Sequence, residues 1–183
     1  MKNNITSLKK PRKIYPDRLR AILLAGLLLT SPVAGLAANL SPANDLTKQC
    51  ANALMGDIDA SKIGNDPKTV AHLIHCALGS AIFEPTANVK AYTTKINRKK
   101  QILLNALFEK PWDKSSRSEA GQTVLMELVL SDLPLDWRLK KIEALIDGGI
   151  NIGEKNDQGD TALSFAQYRG EAKVIAILAR KQK

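Results

Sequence analysis

The chain has two histidines and two cysteines in 183 residues. That is too few for the clusters of titratable or metal-ligating side chains on which most catalytic sites are built. His72 and Cys76 stand four apart, which puts them on one helical face at the spacing of half a metal site. Nothing in the sequence marks a third or fourth ligand. A Gly-x-Ser-x-Gly elbow is missing, and neither histidine lies beside a serine or cysteine in a catalytic motif, which argues against nucleophilic catalysis. No glycine-rich loop is present to cradle a phosphate. Asp157 and Asp160 lack the dense oxygen spacing of a calcium loop and read as a solvated hairpin tip. The expectation is a protein that is not an enzyme and takes no cofactor and no metal. The rival from another class is a thiol- or metal-dependent enzyme built around His72, Cys50 and Cys76.

A long apolar run is also lacking. The stretch Ala21 to Leu29 is interrupted by Thr30, Ser31 and Pro32, well short of the about 20 residues a bilayer span requires. It follows a basic leader of Lys2, Lys9, Lys10, Arg12, Lys13, Arg18 and Arg20, and it leads into a small-residue stretch with Gly35 and Ala37. This is the layout of a secretory signal cleaved before Ala38, with an uncleaved anchor as the alternative. Residues 1–37 are therefore expected to be removed, and the remainder to work in the periplasm without stable membrane insertion. Seven of the 27 Lys and Arg and one of the 18 Asp and Glu fall in that leader, leaving 20 against 17 and a net charge of +3. The high overall basicity belongs mostly to the signal, so it is no argument for nucleic-acid binding. The cluster Arg98, Lys99 and Lys100 reads as a solvated helix face, with steering of an acidic partner as its other use.

Cys50 and Cys76 both lie in the exported part, where thiols oxidise and remain oxidised. A bridge between them is the first reading. Two buried free thiols in neighbouring helices is the other.

No stretch sustains two-residue alternation, and nearly every periodic stretch reads as helix. Ser41 or Asn44 is placed to cap a first helix ending at Met55 and Gly56, with Leu46, Cys50 and Leu54 on one face. Asp66 and Pro67 start a second helix with Val70, Leu73, Ile74, Ala77 and Leu78 as its apolar stripe. Phe83 to Lys95 shows no period and reads as a loop. Asn97 is placed to cap a third helix that buries Ile102, Leu103, Ala106 and Leu107.

From Pro111 the chain repeats itself. Gly121-Gln122-Thr123-Val124-Leu125 returns as Gly159-Asp160-Thr161-Ala162-Leu163, each followed by two helical stretches, the second of them Leu139 to Ile146 and then Ala172 to Leu178. Asp147-Gly148-Gly149-Ile150-Asn151-Ile152 stands between the copies as a helix stop and turn. In each copy the threonine hydroxyl is suited to cap the inner helix, and the glycine to permit the turn before it.

Over residues 118–183 these features resemble ankyrin repeats, whose unit is a β-turn and two helices with a Thr-Pro-Leu-His signature. Thr161-Ala162-Leu163-Ser164-Phe165-Ala166 matches at Thr, Leu and Ala, and Thr123-Val124-Leu125-Met126 at Thr and Leu. The segment Ile142 to Ile152 is similar to the family's outer helix and glycine turn. Pro and His of the signature are both substituted. An insertion is expected at Asp132 to Asp136, because the copies are offset by 38 residues against a family period of about 33. Its Leu133, Leu135 and Trp137 are expected either to pack on Phe83 to Lys95 or to anchor a partner.

The resemblance implies an all-α, ankyrin-like solenoid of two to three repeats. Its expected organisation is residues 38–110 as N-terminal helices, capping the stack or forming a degenerate repeat, and 111–183 as the repeats. It implies binding of another protein through tip and inner-helix positions. These are Glu119, Ala120, Gln122, Leu130 and Ser131 in the first copy, and Asp157, Gln158, Asp160, Tyr168 and Arg169 in the second. Tyr168 and Arg169 are the favoured contacts. The expected partner is an exported antibacterial effector neutralised by occlusion, or alternatively a periplasmic enzyme, for example one handling oxidative stress, to which the chain is an accessory.

Overall fold

The computed structural model describes residues 42–79 and 89–181. The expected signal, residues 1–37, and the Ser41 cap lie outside them. Among the described residues there are seven α-helices and no strand: α1 (Pro42–Met55), α2 (Pro67–Leu78), α3 (Val89–Phe108), α4 (Val124–Leu130), α5 (Leu135–Asp147), α6 (Ala162–Arg169) and α7 (Ala172–Lys181). The protein is all-α, as expected. No described helix is long and apolar enough to cross a membrane.

The helices pack as neighbours in sequence: α2 with α3, α4 with α5, and α6 with α7. Across these pairs α2 touches α4, α4 touches α6, and α5 touches α7, while α1 lies against α2 and α3. That order explains the burial pattern. In α4, Val124, Leu125, Met126, Leu128 and Val129 are all buried, because the helix has neighbours on several sides. The same holds for α2, where Val70, Ala71, Leu73, Ile74, Ala77 and Leu78 are buried. By contrast α5 buries Ile142 and Arg138 and leaves its outer face in water. Each fully enclosed Leu or Ile along the inner row contributes about 1.5 to 3 kcal/mol of transfer free energy.

Helix starts follow the local chemistry read from the sequence. Asp66 Oδ2 accepts from the Thr69 N–H at 2.8 Å, with Pro67 in the first turn. Thr123 Oγ1 accepts from the Met126 N–H at 3.1 Å. At Thr161 the device is reciprocal: its Oγ1 accepts from Ser164 N–H at 3.2 Å, and the Thr161 N–H donates to Ser164 Oγ at 2.9 Å. Gly56 and Gly170 take φ of +70° and +68° where α1 and α6 end.

Five expectations are corrected. Ile102, expected in the buried stripe of α3, is exposed, and Leu104 is buried with Leu103 and Leu107 instead. Val89 to Lys95 is helix rather than loop, and residues 83–88 of the expected loop fall outside the described part. Asn97 is therefore inside α3 and caps nothing; its Nδ2 donates to the Asp132 carbonyl at 3.1 Å. The outer helix of the first copy begins at Leu135, four residues early, so Leu135 and Asp136 of the expected insertion form its first turn. The basic cluster is not a solvated face. Lys100 is buried and donates to the Gly79 carbonyl at 2.5 Å, Lys99 pairs with Asp57, and Arg98 is exposed. Burial pushes the Lys100 amine down to about 8, with Asp132 opposing.

Candidate functional site

Two turns hold most of the residues singled out for binding, and their backbones are built alike. In the first, Ser118 N–H donates to the Gln122 carbonyl at 3.0 Å and Gly121 N–H to the Ser118 carbonyl at 2.9 Å. Thirty-eight residues later Asn156 N–H donates to the Asp160 carbonyl at 2.9 Å and Gly159 N–H to the Asn156 carbonyl at 3.0 Å. Both glycines need positive φ, +69° and +84°. The second turn is tightened by Asn156, a buried residue whose Oδ1 accepts from the N–H groups of Gln158 and Asp160 at 3.0 and 2.8 Å.

The turns also touch. A Cβ placed on Gly121 would lie 2.3 Å from Asp157 Oδ1, and the Arg117–Glu154 ion pair ties the two loops again. Glu119, Gln122, Asp157, Gln158 and Asp160 are thus brought together on adjoining turns. Glu119, Asp157 and Gln158 are exposed, while Ala120, Gln122 and Asp160 are half-buried. The exposed rim is acidic.

Leu130, Ser131, Tyr168 and Arg169 belong to a different place, the C-terminal ends of α4 and α6. The seven residues of α4 span roughly 10 Å at the usual helical rise, and that length separates them from the turns. Tyr168 is 73% exposed. Arg169 is engaged within the fold: its guanidinium donates to the Leu130 carbonyl at 2.7 Å and to Glu171 Oε1 at 3.0 Å. Ser131 is buried, with its hydroxyl donating to the Leu128 carbonyl at 3.0 Å, and has no side-chain surface to offer.

The expected insertion packs inward. Leu133 is buried, and Trp137 lies against α3, its Nε1–H donating to Asn105 Oδ1 at 3.2 Å. The Lys141 ammonium sits 5.6 Å from the Phe108 ring centre and 5.7 Å from that of Trp137. Three of the chain's eight aromatic residues meet here, since Phe108 also meets Trp112 edge to face at 5.9 Å.

No family model, curated protein or solved structure matches this chain. Its functional reading therefore stands on its own residues.

Two buried polar assemblies were not visible in the sequence. Arg138, 4% exposed, donates through Nη1 and Nη2 to the two Glu171 carboxylate oxygens at 2.8 Å each, and to the carbonyls of Leu133 and Val129 at 2.9 and 3.0 Å. The Arg138 hydrogen bonds hold the Glu171 carboxyl below its usual range against the opposing effect of burial, and Arg169 adds to them. In the second, the His75 ring joins Glu127 Oε2 through Nδ1 at 2.7 Å and Ser116 Oγ through Nε2 at 3.0 Å. That chain pins α2 to α4 and to the connection before it, and leaves neither ring nitrogen of a buried histidine unsatisfied. Its order of hydroxyl, imidazole and carboxylate is also that of a catalytic relay.

The cysteines are bridged. Cys50 of α1 and Cys76 of α2 form a disulfide with Cα atoms 5.2 Å apart, and no free thiol remains. The exposed His72 stands beside it with Nε2 3.6 Å from Cys76 Sγ. Burial and the neighbouring His75 lower the His72 pKa from its usual value.

Proposed function

We propose that this chain is an exported protein-binding module of the ankyrin type that occludes its partner rather than acting on it chemically. Its partner, on this reading, is an exported antibacterial effector, and the chain is the immunity protein that protects its producer. One observation carries the reading: two turns of the same hydrogen-bonded form, 38 residues apart, lie side by side, each feeding a Thr-capped helix. Paired helices whose inner members touch in series support the same architecture, and stacks of this kind offer their tips and inner faces to partners. The disulfide is compatible with an oxidising compartment. The exposed carboxylates of Glu119 and Asp157, beside the neutral Gln158, suit a partner presenting basic side chains, with Tyr168 as a second, apolar contact.

The test is survival. A deletion strain is co-cultured with siblings proven to secrete toxin. Survival is expected to fall, and to recover with the full chain but not with one lacking residues 1–37. In the isolated complex, Tyr168→Ala should weaken binding by about tenfold, the scale of one exposed aromatic contact. Undiminished survival of the deletion strain would remove the immunity reading.

A hydrolytic reading has one observation in its favour, the Ser116–His75–Glu127 chain. It predicts covalent labelling of Ser116 by a fluorophosphonate, abolished by Ser116→Ala. An unlabelled serine in folded protein would end it.

A further inference from the structure

The half-site of His72 and Cys76 gains a third member in the fold. One ligand atom from each of Cys50, His72 and Cys76 lies within 4.8 Å of the others. The three side chains come from two helices, α1 and α2, that pack directly on each other. His72 is exposed and both cysteines are half-buried, so the group is reachable from solvent while its anchors are fixed.

We propose that, in the dithiol state, Cys50, Cys76 and His72 bind a zinc-class divalent cation with two thiolates and one imidazole, leaving the fourth position open to solvent. The dimensions fit. Zinc with sulfur at about 2.3 Å and nitrogen at about 2.05 Å in tetrahedral geometry needs a sulfur-to-nitrogen edge of about 3.6 Å. His72 Nε2 and Cys76 Sγ are already 3.6 Å apart. The sulfur-to-sulfur edge needed is about 3.8 Å, reached by side-chain rotation once the bond between the sulfurs is gone.

The chemistry balances as follows. The chain is made as a dithiol, so the site exists before oxidation. It is restored from the disulfide by a low-potential dithiol reductant, which gives two electrons and two protons and becomes a disulfide itself. The cation then displaces both thiol protons and binds the thiolates, with neutral His72 donating its ring nitrogen lone pair. Oxidation reverses this: a disulfide oxidant accepts the two electrons, with two protons from solvent, and becomes a dithiol, while the sulfurs form their bond and the cation leaves. Bridging and metal binding are therefore mutually exclusive, and each joins α1 to α2.

The test uses the full exported chain, reduced and freed of reductant under anaerobic conditions, and titrated with cobalt(II). One equivalent should raise thiolate-to-cobalt charge-transfer absorption together with the visible bands of a four-coordinate ion. Zinc should displace cobalt and protect both thiols from alkylation. The disulfide form should show none of these signals. His72→Ala removes an exposed side chain, so folding is spared, and zinc affinity should fall at least about tenfold on loss of one of three ligands. Far-ultraviolet circular dichroism of the reduced chain must keep its helical signal throughout. Featureless cobalt spectra, an unchanged zinc affinity in His72→Ala, or binding only after the helices have melted would each overturn the proposal.

Discussion

The two halves of the molecule are held together by different means. Around α1 to α3 the ties are long in sequence: the Cys50–Cys76 bridge, Lys99 to Asp57, and Lys100 to the Gly79 carbonyl. From Ser118 onward the ties are mostly local and repeated, namely threonine caps, positive-φ glycines and closed turns. Exceptions include Arg169 to the Leu130 carbonyl and, most enclosed, Arg138 with Glu171, a buried ion pair that locks α5 to the start of α7. Local devices start α2, α4 and α6. Long ties decide which helix lies against which.

The largest test of this contrast is Arg138→Ala. It leaves Glu171 with Arg169 alone and takes the donor from the Leu133 and Val129 carbonyls, and breaking one side of such a buried pair costs about 3 to 5 kcal/mol. Urea unfolding followed by circular dichroism should show it, and a loss under about 1 kcal/mol would place the pair among surface salt bridges instead. Next in size is the double change Cys50→Ser and Cys76→Ser. With the cysteines 26 positions apart, loop-closure entropy predicts a loss of about 3.5 kcal/mol. Reduction of the metal-free wild type should reproduce that loss.

Gly121→Ala and Gly159→Ala sharpen the comparison inside the second half. Both force a left-handed backbone on alanine, costing about 1 to 2 kcal/mol. At Gly121 the added carbon also meets Asp157, whereas at Gly159 nothing lies within 4 Å. Gly121→Ala should therefore be the worse by about 1 kcal/mol or more, since overpacking adds to the backbone cost. Equal losses would mean that the turns do not press on each other.

A further test is the pH dependence at Lys100. Its folded pKa, about 8 against 10.5 when free, means that between those values the unfolded chain binds more protons than the folded one. Stability should then rise as pH rises through that window. Lys100→Met should flatten the rise, and a parallel slope in the variant would assign it to another group. Glu171 acts in the opposite range: with its folded pKa lowered, its contribution is present above the free value of 4.5 and is lost as pH falls through the folded one.

These ties also explain what could be read from the sequence. Thr123, Thr161, Gly121 and Gly159 announce their roles through neighbours within three or four residues, and the structure has those caps and turns. Val89 to Lys95 gave no helical signal, since Val89, Thr93 and Thr94 are β-branched residues of low helix propensity. It is helical nonetheless, in a helix that packs against α1 and α2. Arg138 looks in sequence like one more charge beside Lys140 and Lys141, because its partner lies 33 residues on. His75 and Glu127 are separated by 52. A local pattern carries no trace of such pairs. Glu119, Gln122, Asp157, Gln158 and Asp160 were legible as turn members, but not that Arg169 would be drawn into the fold or that Ser131 would be enclosed.

The acid that answers Arg138 sits at the very threshold of the last helix. A chain cut short after Tyr168 would keep most of its hydrophobic interior and yet leave the Arg138 guanidinium without its carboxylate, with only the Leu133 and Val129 carbonyls to receive it. The terminal hairpin therefore works as a keystone more than as a lid. Proteolytic nibbling or a premature stop at that end should fell the whole arch, where erosion of an ordinary end cap would shed a single course of stone.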